Sequence, residues 1–319
     1  MRHLLNIMPH LLDRACPLCG TPSTHAVPTT YGSDEWPVIT CGECGLVFVG
    51  RTPVQAEFED ERAWEKSFVR ETERRARDHG ALFAIDRLTR ARFKLAYRRR
   101  PTAIVARLAR PGPLLDLGCG DGKILTPPPT GYIPFGIEVS KGLAAIADAA
   151  FRSFGGKCIR APATEGLAAF PPKYFTAAIM LGYLEHEFHP LLILRQVRQL
   201  LTDDAVVIVK MPNYASINRL VTGRKWCGFR LPDHVNYYTP RTLVGLATRA
   251  GFTVNFGLLG RQPFSDNMWA VLRPIPDANP GTLEVAAAAK TLPSASERLP
   301  PLSAPGPRLA KTCSSIARR

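Results

Sequence analysis

Leu114-Leu115-Asp116-Leu117-Gly118-Cys119-Gly120-Asp121-Gly122 decides how this chain of 319 residues reads: an apolar strand ends on a carboxylate and turns at once through three alternating glycines. Glycine adopts backbone angles closed to other residues and lets a ligand approach the main chain. A carboxylate at a strand tip followed by such a loop marks a nucleotide-type ligand site. The spacing differs from the G-x-G-x-x-G of a dinucleotide fingerprint, which places phosphate on a helix N-terminus. With Asp116 and Asp121 at the two ends of the loop, a cationic ligand suits it better.

Residues 132 to 140, Tyr-Ile-Pro-Phe-Gly-Ile-Glu-Val-Ser, read as a second strand ending near Glu138. That acid follows Asp116 by about twenty residues, the spacing at which a carboxylate holds two ribose hydroxyls. On these two segments the chain resembles the class I S-adenosylmethionine-dependent methyltransferases. Their first motif has the D-x-G-x-G-x-G form of Asp116 to Gly122, and their second strand ends in an acid like Glu138. The resemblance implies an α/β fold with a seven-stranded Rossmann-like sheet. It also implies S-adenosylmethionine as cofactor, held by Asp116, Gly118, Cys119, Gly120, Gly122 and Glu138.

The rest of the middle of the chain alternates strand and helix as a parallel sheet covered on both faces requires. Candidate strands are 113–118, 132–139, 157–160, 174–182, 204–211, 252–257 and 267–273, and candidate helices run 141–154, 190–201 and 240–250. The helix after the glycine loop should be only about a turn and a half long, because Pro127-Pro128-Pro129 removes backbone donors and clashes within a helix. The third motif offers only Glu165 as an acid near the adenine.

Eight cysteines include two Cys-x-x-Cys pairs, Cys16/Cys19 and Cys41/Cys44, each followed by glycine and separated by twenty-one residues. Two matched pairs of this kind complete a closed four-sulfur shell around a structural Zn²⁺ and point to a reducing compartment. The segment between them should form short strands of a zinc ribbon, with Leu46 to Val49 leaving as another. The expected organisation is a zinc-ribbon-like module at 14–50, a basic helical cap at 55–110, a methyltransferase domain at 111–273 and a disordered Pro/Ala/Ser/Thr-rich tail at 274–319.

Catalytic side chains should follow the fourth and fifth strands of the sheet. Glu185-His186 resembles the Glu-His found there in the family; His186 is a candidate general base, oriented by Glu185, with His189 as a surface residue. Downstream, Asp233-His234-Val235-Asn236-Tyr237-Tyr238-Thr239-Pro240 resembles a segment of bacterial methyltransferases from glycan, lipid and natural-product pathways. Several of those also carry a four-cysteine N-terminal domain. An insertion here is expected to roof the acceptor, with His234 as base and Asn236 or Tyr237 as donors.

The formal charge is +14, and residues 61 to 110 hold 15 Lys and Arg against 6 Asp and Glu. Basic faces attract phosphates, so RNA, a nucleotide-sugar or a lipid-linked pyrophosphate all fit, as does a merely solvated surface. No apolar run is long enough to span a membrane, which predicts a soluble cytoplasmic protein. The leading expectation is O- or C-methylation of a small-molecule or glycan-pathway acceptor. An RNA methyltransferase and a non-catalytic zinc-bearing scaffold are the alternatives. No Asn-Pro-Pro-Tyr or Asp-Pro-Pro-Tyr follows the fourth strand, which argues against an exocyclic base-amine methylase.

Overall fold

The computed structural model describes residues 12–52, 101–257, 260 and 263–276. Of the basic helical cap expected at 55–110, residues 55–100 lie outside the described residues, as does the expected tail beyond 276. In chain order the N-terminal part forms β1 (Leu12–Asp13), β2 (Ala26–Pro28), β3 (Val38–Cys41), β4 (Val47–Val49) and β5 (Arg51–Thr52). The larger part opens with α1 (Pro101–Leu108) and β6 (Pro113–Leu117), followed by β7 (Ile133–Glu138), α2 (Lys141–Arg152), β8 (Lys157–Arg160) and α3 (Ala163–Ala168). It continues through β9 (Phe175–Leu181), α4 (Pro190–Leu200), β10 (Leu201–Pro212), α5 (Ile217–Thr222) and β11 (Asn236–Tyr237), and ends with α6 (Pro240–Arg249), β12 (Phe252–Asn255) and β13 (Asn267–Pro274).

Seven strands make the main sheet in the order β12-β13-β10-β9-β6-β7-β8. The pairings of β6 to β10 are parallel, while β13 runs antiparallel to both β10 and β12. This is the Rossmann-like sheet that the resemblance implied. Side chains alternate across it with period two. Leu115, Leu117, Ala178, Met180, Val207 and Val209 face one side under α3, α4 and α6, and Leu114, Ala177, Ile179, Val206 and Ile208 face the other under α1 and α2. The helices have local causes: Ser140 caps α2 by accepting the Leu143 N–H, Pro190 starts α4, and a Thr239–Thr242 capping box starts α6. Gly251, at φ +86°, ends the last of these.

Two boundaries differ most from the sequence reading. The residues after the glycine loop form only a three-residue 3₁₀ turn, Lys123–Leu125, shorter than the expected helix. The strand expected from 204 begins at Leu201, directly after α4, because Leu201 pairs with Phe175 before the register shifts at Val206. Among the described residues no helix is long and apolar enough to cross a membrane.

A second, antiparallel sheet of order β11-β4-β3-β2 joins the N-terminal part to the larger part. Its outer strand, Asn236-Tyr237, comes from the insertion after β10 and pairs with Phe48 and Val47. Trp226, Phe229, Val235 and Tyr237 pack there with Val38, Val47, Val49 and Phe188, while Cys16, Leu18, Cys41, Leu46 and Phe48 are continuous with the main core.

Candidate active site at the strand tips

The carboxyl end of β6 carries the glycine loop. Gly118, Gly120 and Gly122 all have positive φ, at +68°, +56° and +76°. A side chain on Gly118 would meet the Tyr183 ring at 3.0 Å and one on Gly122 would press into Phe151 and Ala147, whereas the space beside Gly120 is open. The Gly118 N–H donates to the Ile137 carbonyl at 2.9 Å, which ties the loop to β7. Cys119 turns inward, with its Sγ 3.5 Å from the Cys158 Sγ, and so offers this side of the loop only its main chain.

Two carboxylates stand beneath the loop. Glu138 accepts the Gly120 N–H through Oε2 and the Ser140 N–H through Oε1, both at 2.9 Å. Asp116 is 2% exposed, and its Oδ2 has no hydrogen-bond partner. Burial, and then the charge of Glu138, push the Asp116 carboxyl well above the usual carboxylate range. A buried, unpartnered acceptor beside a second carboxylate fits a cation-bearing ligand and opposes a phosphate. The expected adenine acid, Glu165, lies exposed in the first turn of α3.

The turn after β9 brings a second polar group to the same edge. Tyr183, against Gly118, donates to Glu187 at 2.7 Å. A nitrogen from each of His186 and His234 and a carboxylate oxygen of Glu185 lie within 4.8 Å of one another. The two rings meet edge to face at 4.6 Å. His186 Nδ1 is 2.9 Å from the Asp233 carbonyl and His234 Nδ1 is 2.8 Å from the Gly228 carbonyl. Burial raises Glu185 to about 7 and lowers His186 to about 4, so the imidazole is neutral at physiological pH. His189 is exposed.

Asn236 departs from the donor role expected of it. Its amide nitrogen donates to the Leu184 and Glu187 carbonyls at 3.0 and 2.7 Å, holding the 184–187 turn against β11. The Glu185 carbonyl accepts the Val235 and Asn236 N–H groups in the same seam. Tyr237 is 1% exposed with an unpartnered hydroxyl. One residue here carried no sequence signal: Arg14, just before the first cysteine pair, reaches the Val235, Glu187 and Phe188 carbonyls at 3.1, 3.3 and 2.7 Å. Its burial lowers its pKa to about 10. Nothing local distinguishes Arg14, because its partners are more than 170 residues away in the chain.

The four N-terminal cysteines converge as well. All four Sγ atoms lie within 4.8 Å of one another, with Cys16–Cys44 at 3.4 Å and Cys19–Cys41 at 3.5 Å. A tetrahedral shell with metal–sulfur bonds of about 2.3 Å has sulfur–sulfur edges of about 3.8 Å, so these spacings fit a four-thiolate site. The following glycines, Gly20 and Gly45, take φ of +77° and +73° and return their N–H groups to the Cys16 and Cys41 carbonyls. Separately, an apolar groove of about 860 Å³ between α1 and the β10–β13–β12 strands includes none of these groups.

A seven-stranded sheet of this order, with a glycine loop and paired acids at its central strand tips, defines an S-adenosylmethionine-dependent methyltransferase domain. The model of the family described as "Methyltransferase domain" matches residues 88–255, and the chain belongs to that family. No curated protein matches. Solved structures similar to this chain include a SAM-dependent methyltransferase from Archaeoglobus fulgidus, 16% identical over 57% of this chain and 97% of that one, with a TM-score of 0.42. Another, from Methanosarcina mazei, is 17% identical over 54% and 97%, with a TM-score of 0.42. A TehB-like SAM-dependent methyltransferase from Corynebacterium glutamicum is 16% identical over 60% and 98%, with a TM-score of 0.41.

Proposed function

We propose that this enzyme methylates an oxygen or carbon of a small-molecule acceptor of the glycan or lipid-linked type. The observation carrying this reading is the burial of the polar and aromatic groups in and after the insertion: His234, Asn236, Tyr237 and Tyr238 are each at most 4% exposed, in the segment whose strand pairs with β4. Polar groups packed in an enclosed aromatic setting suit a compact acceptor better than a flat nucleic-acid surface.

S-adenosylmethionine, when bound, supplies the electrophilic methyl group. Asp116 holds the cationic end of the donor, Glu138 its ribose hydroxyls, and Gly120 leaves room for its close approach to the main chain. Displacement at a sulfonium methyl depends mainly on holding donor and acceptor in line. Glu185, His186 and His234 activate the acceptor at that edge. Cys16, Cys19, Cys41 and Cys44 hold a structural Zn²⁺ that keeps β3, β4 and the insertion in place.

The test is calorimetric titration of the full chain with S-adenosylmethionine and S-adenosylhomocysteine, followed by acceptor screens with nucleotide-sugars and RNA. Donor binding that Asp116→Ala abolishes, with turnover on a soluble acceptor, supports the reading. Turnover on RNA alone, with affinity falling steeply as salt rises, overturns it in favour of a nucleic-acid substrate.

A further inference from the structure

We propose that Glu185, His186 and His234 form a second metal site, distinct from the four cysteines, that takes a divalent transition-metal ion such as Zn²⁺, Mn²⁺ or Fe²⁺. Three donor atoms from these residues already lie within 4.8 Å of one another. Ligands about 2.0–2.2 Å from one ion sit roughly 3–3.5 Å apart, so small side-chain rotations bring them onto a common centre.

The surroundings are those of a metal site. Each imidazole directs Nδ1 at a main-chain carbonyl, Asp233 for His186 and Gly228 for His234. A carbonyl partner fixes the proton on Nδ1 and leaves Nε2 with the lone pair, which is how metal-bound imidazoles are oriented. The Glu185 side chain is fully enclosed, and its Oε2 has no hydrogen-bond partner. The cations that face it, Lys210 and Arg230, do not hydrogen-bond that oxygen; Arg230 instead lies 3.8 Å from Asp233. An acceptor oxygen left this way in a dry enclosure gives a directly coordinated cation a ligand atom that no protein donor occupies.

Two imidazoles and one carboxylate select borderline divalent ions, and a three-donor set keeps positions open for a further ligand. The ion would also bridge the turn after β9 to the insertion carrying β11, elements that now meet through main-chain hydrogen bonds. The site itself does not depend on the methyl-transfer reading. Its use does rest on that reading: an open position beside the glycine loop binds an acceptor through oxygen and polarises it, in place of a free imidazole base.

The experiment is Co²⁺ titration of metal-free full-length protein, read by absorption and by metal content. Thiolate-bound cobalt shows intense sulfur-to-metal charge transfer, and cobalt on nitrogen and oxygen donors shows only weak visible bands. The expected result is one equivalent of each kind in the wild type. Loss of the second kind alone is expected in both His234→Ala and the near-isosteric Glu185→Gln, with the thiolate band as proof of folding. Absence of any cobalt outside the sulfur-bound equivalent, or its retention in both variants, overturns the site. Calorimetry with S-adenosylhomocysteine on the same samples separates the two ideas: donor binding without the second equivalent removes only the metal, and the second equivalent without donor binding removes only the methyl-transfer reading.

Discussion

The Gly120 N–H donates to the Glu138 carboxylate at 2.9 Å, so one acid both fastens the glycine loop and ends the neighbouring strand. Its other oxygen accepts the Ser140 N–H, at the cap of α2. Loop, second strand and following helix therefore share one carboxylate. Glu138→Gln keeps the shape but gives up the charge and turns one acceptor into a donor facing an N–H. Hydrogen bonds to charged groups are worth about 1.5–3 kcal/mol, so donor affinity should fall by roughly 10- to 100-fold. Titration with S-adenosylhomocysteine measures it, and unchanged affinity would remove Glu138 from the donor site.

Asp116 should trade stability for binding. Its folded-state pKa lies above the unfolded value, so its contribution to stability is complete below the unfolded pKa and is lost as pH rises through the folded one. Above the unfolded pKa the donor-free protein thus bears a penalty, that of the buried charge or of the proton that neutralises it. Asp116→Asn should raise the melting temperature of donor-free protein above about pH 5, corresponding to about 1–3 kcal/mol, while weakening donor binding. Thermal scans across pH, with and without S-adenosylhomocysteine, test both halves. A variant less stable than wild type at pH 8 would contradict the assignment.

Two of the loop glycines, Gly120 and Gly122, should respond differently to alanine. At Gly120 the added methyl meets nothing within 4 Å, and the φ of +56° costs only about 1–2 kcal/mol; binding should suffer far more than folding. At Gly122 the methyl lies 2.9 Å from Phe151 and 3.2 Å from Ala147, so folding should suffer first. Melting temperature set against donor affinity for the two variants distinguishes them.

Metal removal should not melt the N-terminal sheet alone. Cys16, Cys41, Leu46 and Phe48 are part of the main core, and β11 crosses between the two halves. A chelator, or Cys41→Ser, should lower one cooperative thermal transition, by about 4 kcal/mol if the ion is held at a thousand times its dissociation constant. Two separated transitions in calorimetry would show instead that the halves fold independently.

Arg14 offers a test of the seam between the halves. Arg14→Met takes away the guanidinium donor to the Phe188 carbonyl and one of two donors to each of the Val235 and Glu187 carbonyls, which keep the Val49 N–H and the Asn236 amide, and should cost about 1–3 kcal/mol by denaturant unfolding. Arg14→Lys keeps the charge without the planar fork and should recover only part of that. Equal stability of all three proteins would mean that the seam is held by packing alone.

What could be read in the chain follows from how local each signal is. The apolar run around Leu114 and Leu115, the glycine run, the acid at Glu138 and the two cysteine pairs are matters of neighbours a few residues apart, and their types state their conformations. The prolines after the loop foretold a short turn, though not one as short as Lys123–Leu125. The insertion was legible as polar and aromatic but not as a strand. Two residues pairing with Phe48 make no period of their own.

The sequence by itself therefore determined the methyltransferase sheet and the donor loop, because each needs particular residues at fixed short spacings. Only the tertiary structure decided that Arg14, the 184–187 turn and β11 form one seam, that Asn236 serves the main chain, and that Glu185, His186 and His234 face one another. Those contacts join segments up to 221 residues apart, and a buried polar side chain takes its partner from whatever the fold packs against it.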